Sequence, residues 1–338
     1  MLDTQQTGFS HNLSDCLEKI HQAILKNRAQ RYARPDNPDK LSPGELTHLA
    51  HYTTADGLCG IVMNGNLRAT AAYYLNDSSE IDYGCALLTA ILKESATNAK
   101  ENDTRKVILE QTERAFEASG LMASIVPRTY VACFCENENL LSQWRAYGQS
   151  GGYSIGFRRQ ALETGLAVEE DSYHVGLRRV IYDEGLQTSG LRDVLSDFLS
   201  ALERPSIRES AEKLDAQEKK VFFISFNMFL QTAALTEIVR FKHPAFKDEK
   251  EWRLVVRPTS SFLNQAEISQ LKFRPSRGMV VPYLELKPKV NGTPLPIDYV
   301  RYGPTLDKKR AEKSLDLLFK QKGYVNVKFH GSDIPVIL

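Results

Sequence analysis

Apolar residues change along this chain from helical spacing to short β-branched and aromatic runs, so both helices and strands are predicted. Residues 13–30 repeat apolar side chains every three or four positions, which predicts an N-terminal helix. The same spacing predicts helices at 79–100, at 104–118 and through most of 190–241. Strands are predicted at 48–53, 67–75, 129–135, 150–157, 177–185, 252–258, 271–275, 279–287, 298–303 and within 325–338.

These elements predict an α+β fold with a mostly antiparallel sheet and several helices. Residues 34–45 hold three prolines and one glycine, a composition typical of a linker. We therefore expect an N-terminal helical extension and linker at 1–42, followed by a single α+β domain at 43–338. A helical insertion at about 186–240 interrupts that domain, and the second part of its last helical run, residues 221–239, is apolar on nearly every face, which predicts burial on all sides.

Local signals predict where several helices begin and end. Thr54 starts a short helix after the first strand, and Gly65 ends it in a left-handed cap. Pro304 and Gly323 mark the two ends of a helix near the C-terminus. Asn76 or Asp77 either caps the long helix that follows or contributes to a site, and the sequence leaves both interpretations open.

Composition excludes several classes of protein. The 43 Lys and Arg residues balance 42 Asp and Glu residues, so no overall field draws the chain to nucleic acid or to an anionic membrane. Five cysteines without a C-x-x-C pair indicate neither a disulfide framework nor a zinc site. The first residues lack a signal peptide, and no stretch is expected to span a bilayer. We expect a cytoplasmic protein without membrane contact.

The densest group of chemically usable side chains lies at 249–253. If an extended backbone begins at Glu249, then Glu249, Glu251 and Arg253 share one face of the strand. Two carboxylates and a guanidinium at the mouth of a strand make a polar cluster that a core strand does not need. The simpler interpretation is an edge strand with a solvated face, or a cluster of side chains that holds sheet and helix together.

The order of several sequence blocks resembles a widespread bacterial family catalogued as a domain of unknown function. The blocks are HYT at 51, LND..E at 75, FC....LLSQW at 134, YG...G..IGF at 147 and F.DEKEWR at 246. The resemblance covers roughly residues 48–338. That family in turn resembles the ADP-ribosyltransferase superfamily, which implies a split, mainly antiparallel sheet that clamps NAD as a substrate.

The resemblance also implies roles for individual residues. His51, with Thr53 beside it, matches a first-strand His-x-Thr pattern in which the imidazole binds the adenosine ribose, and Tyr52 stands where many relatives have glycine. Phe134, Trp144 and Tyr147 fall where an aromatic ring stacks on nicotinamide, and which of them stacks is left open. Glu251 matches the catalytic glutamate, and Glu249 matches the earlier acid that faces the acceptor. Arg145, Arg253 or Lys242 would pair with the pyrophosphate.

The chemistry of such a transfer needs these residue types. Breaking the bond between ribose and nicotinamide develops positive charge on the sugar, so a carboxylate nearby is favoured most in the transition state. An aromatic face holds the cationic ring. The function that the resemblance implies is an ADP-ribosyltransferase-like effector, of the toxin or phage-defence kind, which acts on a protein, a nucleic acid or a small molecule. A toxic effector would also need an inhibitory partner.

Two other functions are compatible with the sequence. Asp248, Glu249 and Lys250 spell the acid-x-Lys element of a metal-dependent nuclease, for which Asp183 is the obvious upstream metal ligand. The third interpretation is an interaction module that keeps the sheet and has no chemistry.

Overall fold

The computed structural model describes residues 10–34, 37, 39, 41, 44–75, 79–100, 104–117, 128–147, 151–168, 173–258, 265–276 and 278–335. Asn76 and Asp77, the two candidate cap residues, lie outside these ranges. The chain forms two compact units. The helical unit comprises Met1–Lys40, Asp77–Pro127 and Ile181–Phe241, and the sheet unit comprises Leu41–Asn76, Arg128–Val180 and Lys242–Leu338. The expected boundary between an extension at 1–42 and one domain at 43–338 stays a prediction.

Helices and strands in the described ranges follow the predicted types closely. The α-helices are α1 His11–Ala33, α2 Ala55–Asn64, α3 Ser79–Asn98, α4 Thr104–Glu117, α5 Leu141–Tyr147, α6 Arg159–Thr164, α7 Glu184–Leu202, α8 Pro205–Glu212, α9 Ala216–Ile238, α10 Gln265–Gln270 and α11 Lys308–Gln321. The strands are β1 His48–Thr54, β2 Leu67–Ala71, β3 Tyr130–Cys135, β4 Gly152–Arg158, β5 Leu166–Ala167, β6 Tyr173–Arg179, β7 Glu251–Pro258, β8 Lys272–Ser276, β9 Met279–Pro288, β10 Ile297–Tyr302 and β11 Lys328–Gly331. Short 3-10 helices lie at Ala72–Tyr74 and Pro244–Glu249.

The helical unit is built around α9. Asp215 begins this helix with a capping box in which Glu218 accepts a hydrogen bond from the backbone N–H of Asp215. Its second half, from Ser225 onward, is largely buried, whereas Ile224 is exposed, so the expectation of burial on all sides was wrong for the start of 221–239. Val221 and Phe222 in this part are only partly buried, against a small core cluster that includes Leu13 and Leu17.

Helix α9 is long and apolar enough to cross a membrane by length and composition, which was not expected from the sequence. Within its most apolar window, 61% is buried inside the protein. This burial is consistent with the core helix of a soluble protein.

The sheet unit is an open, mostly antiparallel sheet that branches at β3. One edge of β3 pairs with β7 along its whole length, from Tyr130 opposite Val256 to Cys135 opposite Glu251. The other edge is shared: Cys135 pairs with Ala50 of β1, whereas Tyr130 and Val131 pair with β2. Strands β4, β10 and β11 continue from β1, and β9 continues from β2. The sheet is therefore split between β1 and β2.

The main hydrophobic core lies on one face of this sheet. Alternate residues of the central strands point into it, including Leu49, Phe134 and Trp252. Helices α2 and α11 cover this face with buried leucine, isoleucine and phenylalanine side chains. Residues at the intervening positions, such as Cys133, Glu251 and Arg253, point to the opposite face, which we call the polar face, whereas His51 has the alternation of Leu49.

Two predicted boundaries were wrong, and one condition was not met. The strand predicted at 252–258 begins at Glu251, but the extended backbone considered from Glu249 is absent, because residues 244–249 form a 3-10 helix and Lys250 turns the chain with a left-handed φ of 43°. The strand expected at 177–185 ends at Arg179, since Asp183 caps α7 by accepting from the backbone of Leu186. The C-terminal helix begins after Asp307, which caps it, and not near Pro304.

We expect Gly156→Ala to destabilise the sheet unit. A Cβ at Gly156 would lie 2.1 Å from ring atoms of Tyr299 on the paired strand β10. Overpacking of this kind costs about 1–3 kcal/mol. Gly176→Ala, in β6 of the same sheet, is the matched control, because its nearest side-chain atom is 3.7 Å away. Urea unfolding followed by tryptophan fluorescence measures both. Equal stabilities for the two variants would contradict this packing.

Candidate functional site

The split in the sheet leaves the middle of β3 without a strand partner on that side, and His51 contacts its backbone there. Cys133 lies between the part of β3 that pairs with β1 and the part that pairs with β2. The Nδ1 atom of His51 lies 2.8 Å from the Cys133 carbonyl oxygen. Because a carbonyl only accepts, Nδ1 carries the proton and donates it. The imidazole thus occupies the gap where β1 leaves β3.

The protonation state of His51 follows from this position. Burial lowers the pKa of His51 below its usual range, and the hydrogen bond to Cys133 opposes that effect in part. The ring is therefore neutral at pH 7, with its proton on Nδ1. Its other nitrogen, Nε2, can accept a hydrogen bond, for example from a sugar hydroxyl.

A buried group of charges surrounds Glu251 at the start of β7. The Glu251 side chain is 5% exposed. Arg253 donates from Nε to one carboxylate oxygen at 2.8 Å, and Lys242 donates from Nζ to the other at 2.8 Å. Lys242 also donates to Glu249 at 2.6 Å. Lys242 therefore bridges the two carboxylates that the sequence singled out.

Burial alone would raise the pKa of Glu251, but the charges of Arg253 and Lys242 outweigh it and lower that pKa to about 2. Burial would likewise lower the pKa of Lys242, and the two carboxylates raise it above its usual range. The Glu251 carboxylate, the Lys242 ammonium and the Arg253 guanidinium are consequently all charged at pH 7. The expectation that Glu251 lies at an open strand mouth was wrong, because the turn at Lys250 carries the chain directly into the packed sheet.

Cys133 contacts His51 through its backbone and faces the charges of β7 with its side chain. Its carbonyl accepts from His51, and its thiol lies on the face of the sheet that carries Glu251 and Arg253. Burial, followed by the negative charge of Glu251, raises the pKa of the Cys133 thiol well above its usual range. The thiol therefore keeps its proton. His51 has the alternation of Leu49 and its ring lies 5.6 Å from that of Phe134, whereas Glu251 lies on the other face, so the imidazole and the carboxylate approach β3 from its two sides.

Tyr52 and Trp144 hold helix α5 against β1. Their rings pack edge to face with centroids 5.1 Å apart. The Tyr52 hydroxyl donates to the Asn137 carbonyl at 3.0 Å and accepts from the Leu140 backbone at 2.8 Å. Both side chains are buried, whereas Tyr147 at the end of α5 is half-buried. Among these three aromatics, Tyr147 has the most surface for a ligand.

Phe134 and Thr53 take structural positions. Phe134 is 1% exposed on the core face and packs edge to face with Phe157 at 5.8 Å. Its ring has no free surface for stacking on a ligand. Thr53 is buried beside the first turn of α2, where a Cβ at Gly57 would lie 1.9 Å from its hydroxyl. Thr53 therefore supports the joint between β1 and α2.

The residues needed for the nuclease alternative do not gather in the described part of the chain. No group of three His, Cys, Asp or Glu side chains there is placed to hold a metal ion. The Asp183 carboxylate caps α7, and the Glu249 carboxylate binds Lys242. This alternative gains no support from the geometry.

One cavity of about 500 Å³ lies at the other end of β1, lined by residues that include His48, Arg159 and Asp298. It contains none of the residues proposed from the sequence for catalysis. The candidate site is the split in the sheet and not this cavity.

Sequence reasoning missed Cys133, Arg68 and Arg274. Cys133 resembles any small apolar residue in a buried strand, and only the register of β3 shows its role. Arg68 and Arg274 both lie on the polar face, and neither has an ion-pair partner within 4.0 Å among the described residues. Strand alternation within 67–71 would have placed Arg68 opposite the core.

Comparison with known proteins identifies a family over part of the chain. A family model described as a protein of unknown function (DUF2971) matches residues 143–254. This match confirms the expected resemblance to a domain of unknown function over that segment, which includes Glu249, Glu251 and Arg253. The chain has no significant match among curated proteins or solved structures.

We expect Glu251→Gln to lower the stability of the sheet unit at pH 7 by roughly 3–5 kcal/mol, because it leaves two buried cations without their shared anion. In the wild type, the Glu251 carboxyl binds a proton more readily in the unfolded state, where its pKa is near 4.5, than in the folded state, where its pKa is about 2. The stability supplied by Glu251 is therefore lost as pH falls through that window, by about 3 kcal/mol. The difference in the free energy of unfolding between the wild type and Glu251→Gln should therefore become smaller as the pH falls.

Urea unfolding at pH 7, 4 and 2.5 measures this difference in the free energy of unfolding. The chain has two tryptophans, Trp144 and Trp252, and both lie in the sheet unit, so fluorescence reports on that unit. Glu237 of the helical unit also has a lowered pKa of about 2, but its contribution is present in both proteins and cancels in the difference. A difference that stays constant with pH would show that Glu251 is not held ionised by its neighbours.

Proposed function

We propose that the sheet unit is an NAD-dependent, ADP-ribosyltransferase-like domain. The observation that carries this proposal is that the two strands beside β3 bring His51 to the Cys133 carbonyl and Glu251 opposite Cys135. These two residues come from β1 and β7, about two hundred positions apart in the sequence. A carboxylate and a hydrogen-bonding imidazole in the split of an antiparallel sheet are the arrangement that the sequence resemblance implies.

The topology supports the same proposal. A strand that shares one edge between two diverging neighbours opens a gap inside the sheet, and β3 does this between its pairings with β1 and β2. Such a gap suits a ligand, because binding sites are clefts in which a few precisely placed polar groups, including backbone groups, fix the ligand's orientation. His51 already uses one of these groups, so its imidazole is held at the edge of the gap.

In the proposed reaction, the ribosyl C1′–N bond of NAD breaks and its electron pair leaves with nicotinamide. The Glu251 carboxylate stabilises the positive charge that develops on the ribose. A nucleophilic oxygen or nitrogen of the acceptor then bonds to C1′ and loses its proton. Glu249 lies beside Glu251 through their shared Lys242, and it is the base proposed to take that proton.

His51 and Tyr147 are proposed to bind the substrate. The neutral imidazole of His51 accepts a hydrogen bond from a ribose hydroxyl at Nε2, because its Nδ1 is committed to Cys133. Tyr147 is the half-buried aromatic of the three considered, and its ring is the one proposed to stack on nicotinamide. Arg253 and Lys242 keep Glu251 ionised, so other residues are proposed to bind the pyrophosphate.

The biological setting is also a proposal. An enzyme of this type in the cytoplasm would act as an effector, of the toxin or phage-defence kind, on a macromolecular acceptor. Cells that make such an effector would need an inhibitory partner. No observation on the structure favours the nuclease or the purely structural module over the transferase.

We expect the purified chain to release nicotinamide from NAD, with water as acceptor when no other is present. Glu251→Gln should lower this rate by about 10²–10³-fold, since removing one group that stabilises transition-state charge has an effect of that size. His51→Ala should weaken NAD binding roughly tenfold, the equivalent of about 1.4 kcal/mol for one hydrogen bond. Chromatography of released nicotinamide measures the rate, and calorimetry measures binding.

His48→Ala is the matched control, because His48 lies on the same strand but its Nε2 pairs with Asp298, 2.8 Å away. It should bind and cleave NAD like the wild type. Tryptophan fluorescence at low temperature verifies that Glu251→Gln is folded in the assay. Full activity in folded Glu251→Gln, or equal effects of the two histidine variants, would show that the proposed assignments are wrong.

A further inference from the structure

Two arginines on the polar face of the sheet lie close together without a compensating acid. Arg68 is in β2 and Arg274 in β8, and both are half-buried. Neither guanidinium has a carboxylate within 4.0 Å among the described residues, although Glu285 lies opposite Arg68 in the strand register. By contrast, Arg253 and Lys242 on the same face are fully paired with glutamates.

Strand register brings the two arginines together. Thr70 pairs with Tyr283 of β9, and Arg68 lies two residues before Thr70 on the same face. Arg274 donates to the Thr70 hydroxyl at 3.3 Å, and the Arg68 guanidinium lies over the Tyr283 ring at 5.2 Å from its centroid. Both guanidinium groups therefore contact neighbouring residues of a single patch.

The electrostatics of the patch favour the binding of an anion. Burial, and next the positive charge of Arg68, lower the pKa of Arg274, while the phenols of Tyr283 and Tyr147 oppose this shift. The Nε atoms of both arginines are shielded from solvent and have no hydrogen-bond partner among the described residues. Half-buried like charges with unused donors destabilise a protein unless something neutralises them.

We propose that Arg68 and Arg274 bind a phosphate group of a ligand that lies on the polar face. Guanidinium groups bind phosphate through paired N–H donors, which suits two arginines with unused Nε atoms. Strand register places the patch on the side of the sheet that carries Glu251, because Thr70 pairs with Val131 and Val131 pairs with Val255 of β7. If the proposed function is right, the phosphates are those of NAD, but the anion site itself does not depend on that function.

The test is calorimetric titration of the full chain with inorganic pyrophosphate, at constant ionic strength set with sodium chloride. The wild type should bind pyrophosphate, and Arg68→Gln and Arg274→Gln should each weaken binding at least tenfold. Arg158→Gln is the matched control in the same unit, because Arg158 is exposed and pairs with Asp298. It should bind like the wild type.

A second readout separates binding from structural damage. Without ligand, Arg274→Gln should unfold at the same temperature as the wild type or higher, since it removes a like-charge neighbour of Arg68. Absence of pyrophosphate binding to the wild type, or unchanged binding in both arginine variants, would overturn the proposal. Pyrophosphate binding without NAD cleavage would support this site and contradict the proposed function. NAD cleavage without pyrophosphate binding would support the proposed function and contradict this site.

Discussion

The sheet unit depends on how the second edge of β3 is shared. Two strands, β1 and β2, pair with its two ends, so the backbone between them has no ladder partner on that side. A buried carbonyl without a partner costs about 1–3 kcal/mol. His51 removes that cost at Cys133, and in doing so it fixes both its own tautomer and the place where β1 leaves the sheet. The residue that stabilises the split is thus also the one proposed to bind a ligand there.

The polar face carries two groups of charged side chains, which differ in whether their charges are neutralised. Around Glu251, two cations and two carboxylates neutralise one another, and the pKa of Glu251 is held at about 2 as a result. Around Arg68 and Arg274, positive charge is concentrated without an acid within ion-pair distance in the described ranges. A fold selected only for stability would gain nothing from the second arrangement. The contrast between the two groups within one unit is the physical reason to regard the polar face as the binding face.

Sequence patterns predicted most elements and the antiparallel sheet, because apolar periodicity and caps such as Thr54 and Gly65 act locally. They did not predict that Glu249 lies outside the strand, since the left-handed turn at Lys250 has no glycine to signal it. Nor did they separate Phe134, which fills the core, from Tyr147, which keeps free surface. The sequence also could not show that Glu251 is buried between cations, because Arg253 and Lys242 reach it only after the chain has folded.

Chain connectivity explains why Lys242 matters beyond its charge. The sheet unit is assembled from three segments, and the chain leaves it twice, after β2 and after β6, to build the helical unit. Lys242 is the first residue of the sheet unit after the second excursion, and β7 must then pair along the full length of β3. By binding both Glu249 and Glu251, Lys242 fixes the short segment that leads into β7. The same contacts set the position of the proposed catalytic carboxylate. The pairing of β7 with β3 therefore also determines where Glu251 lies.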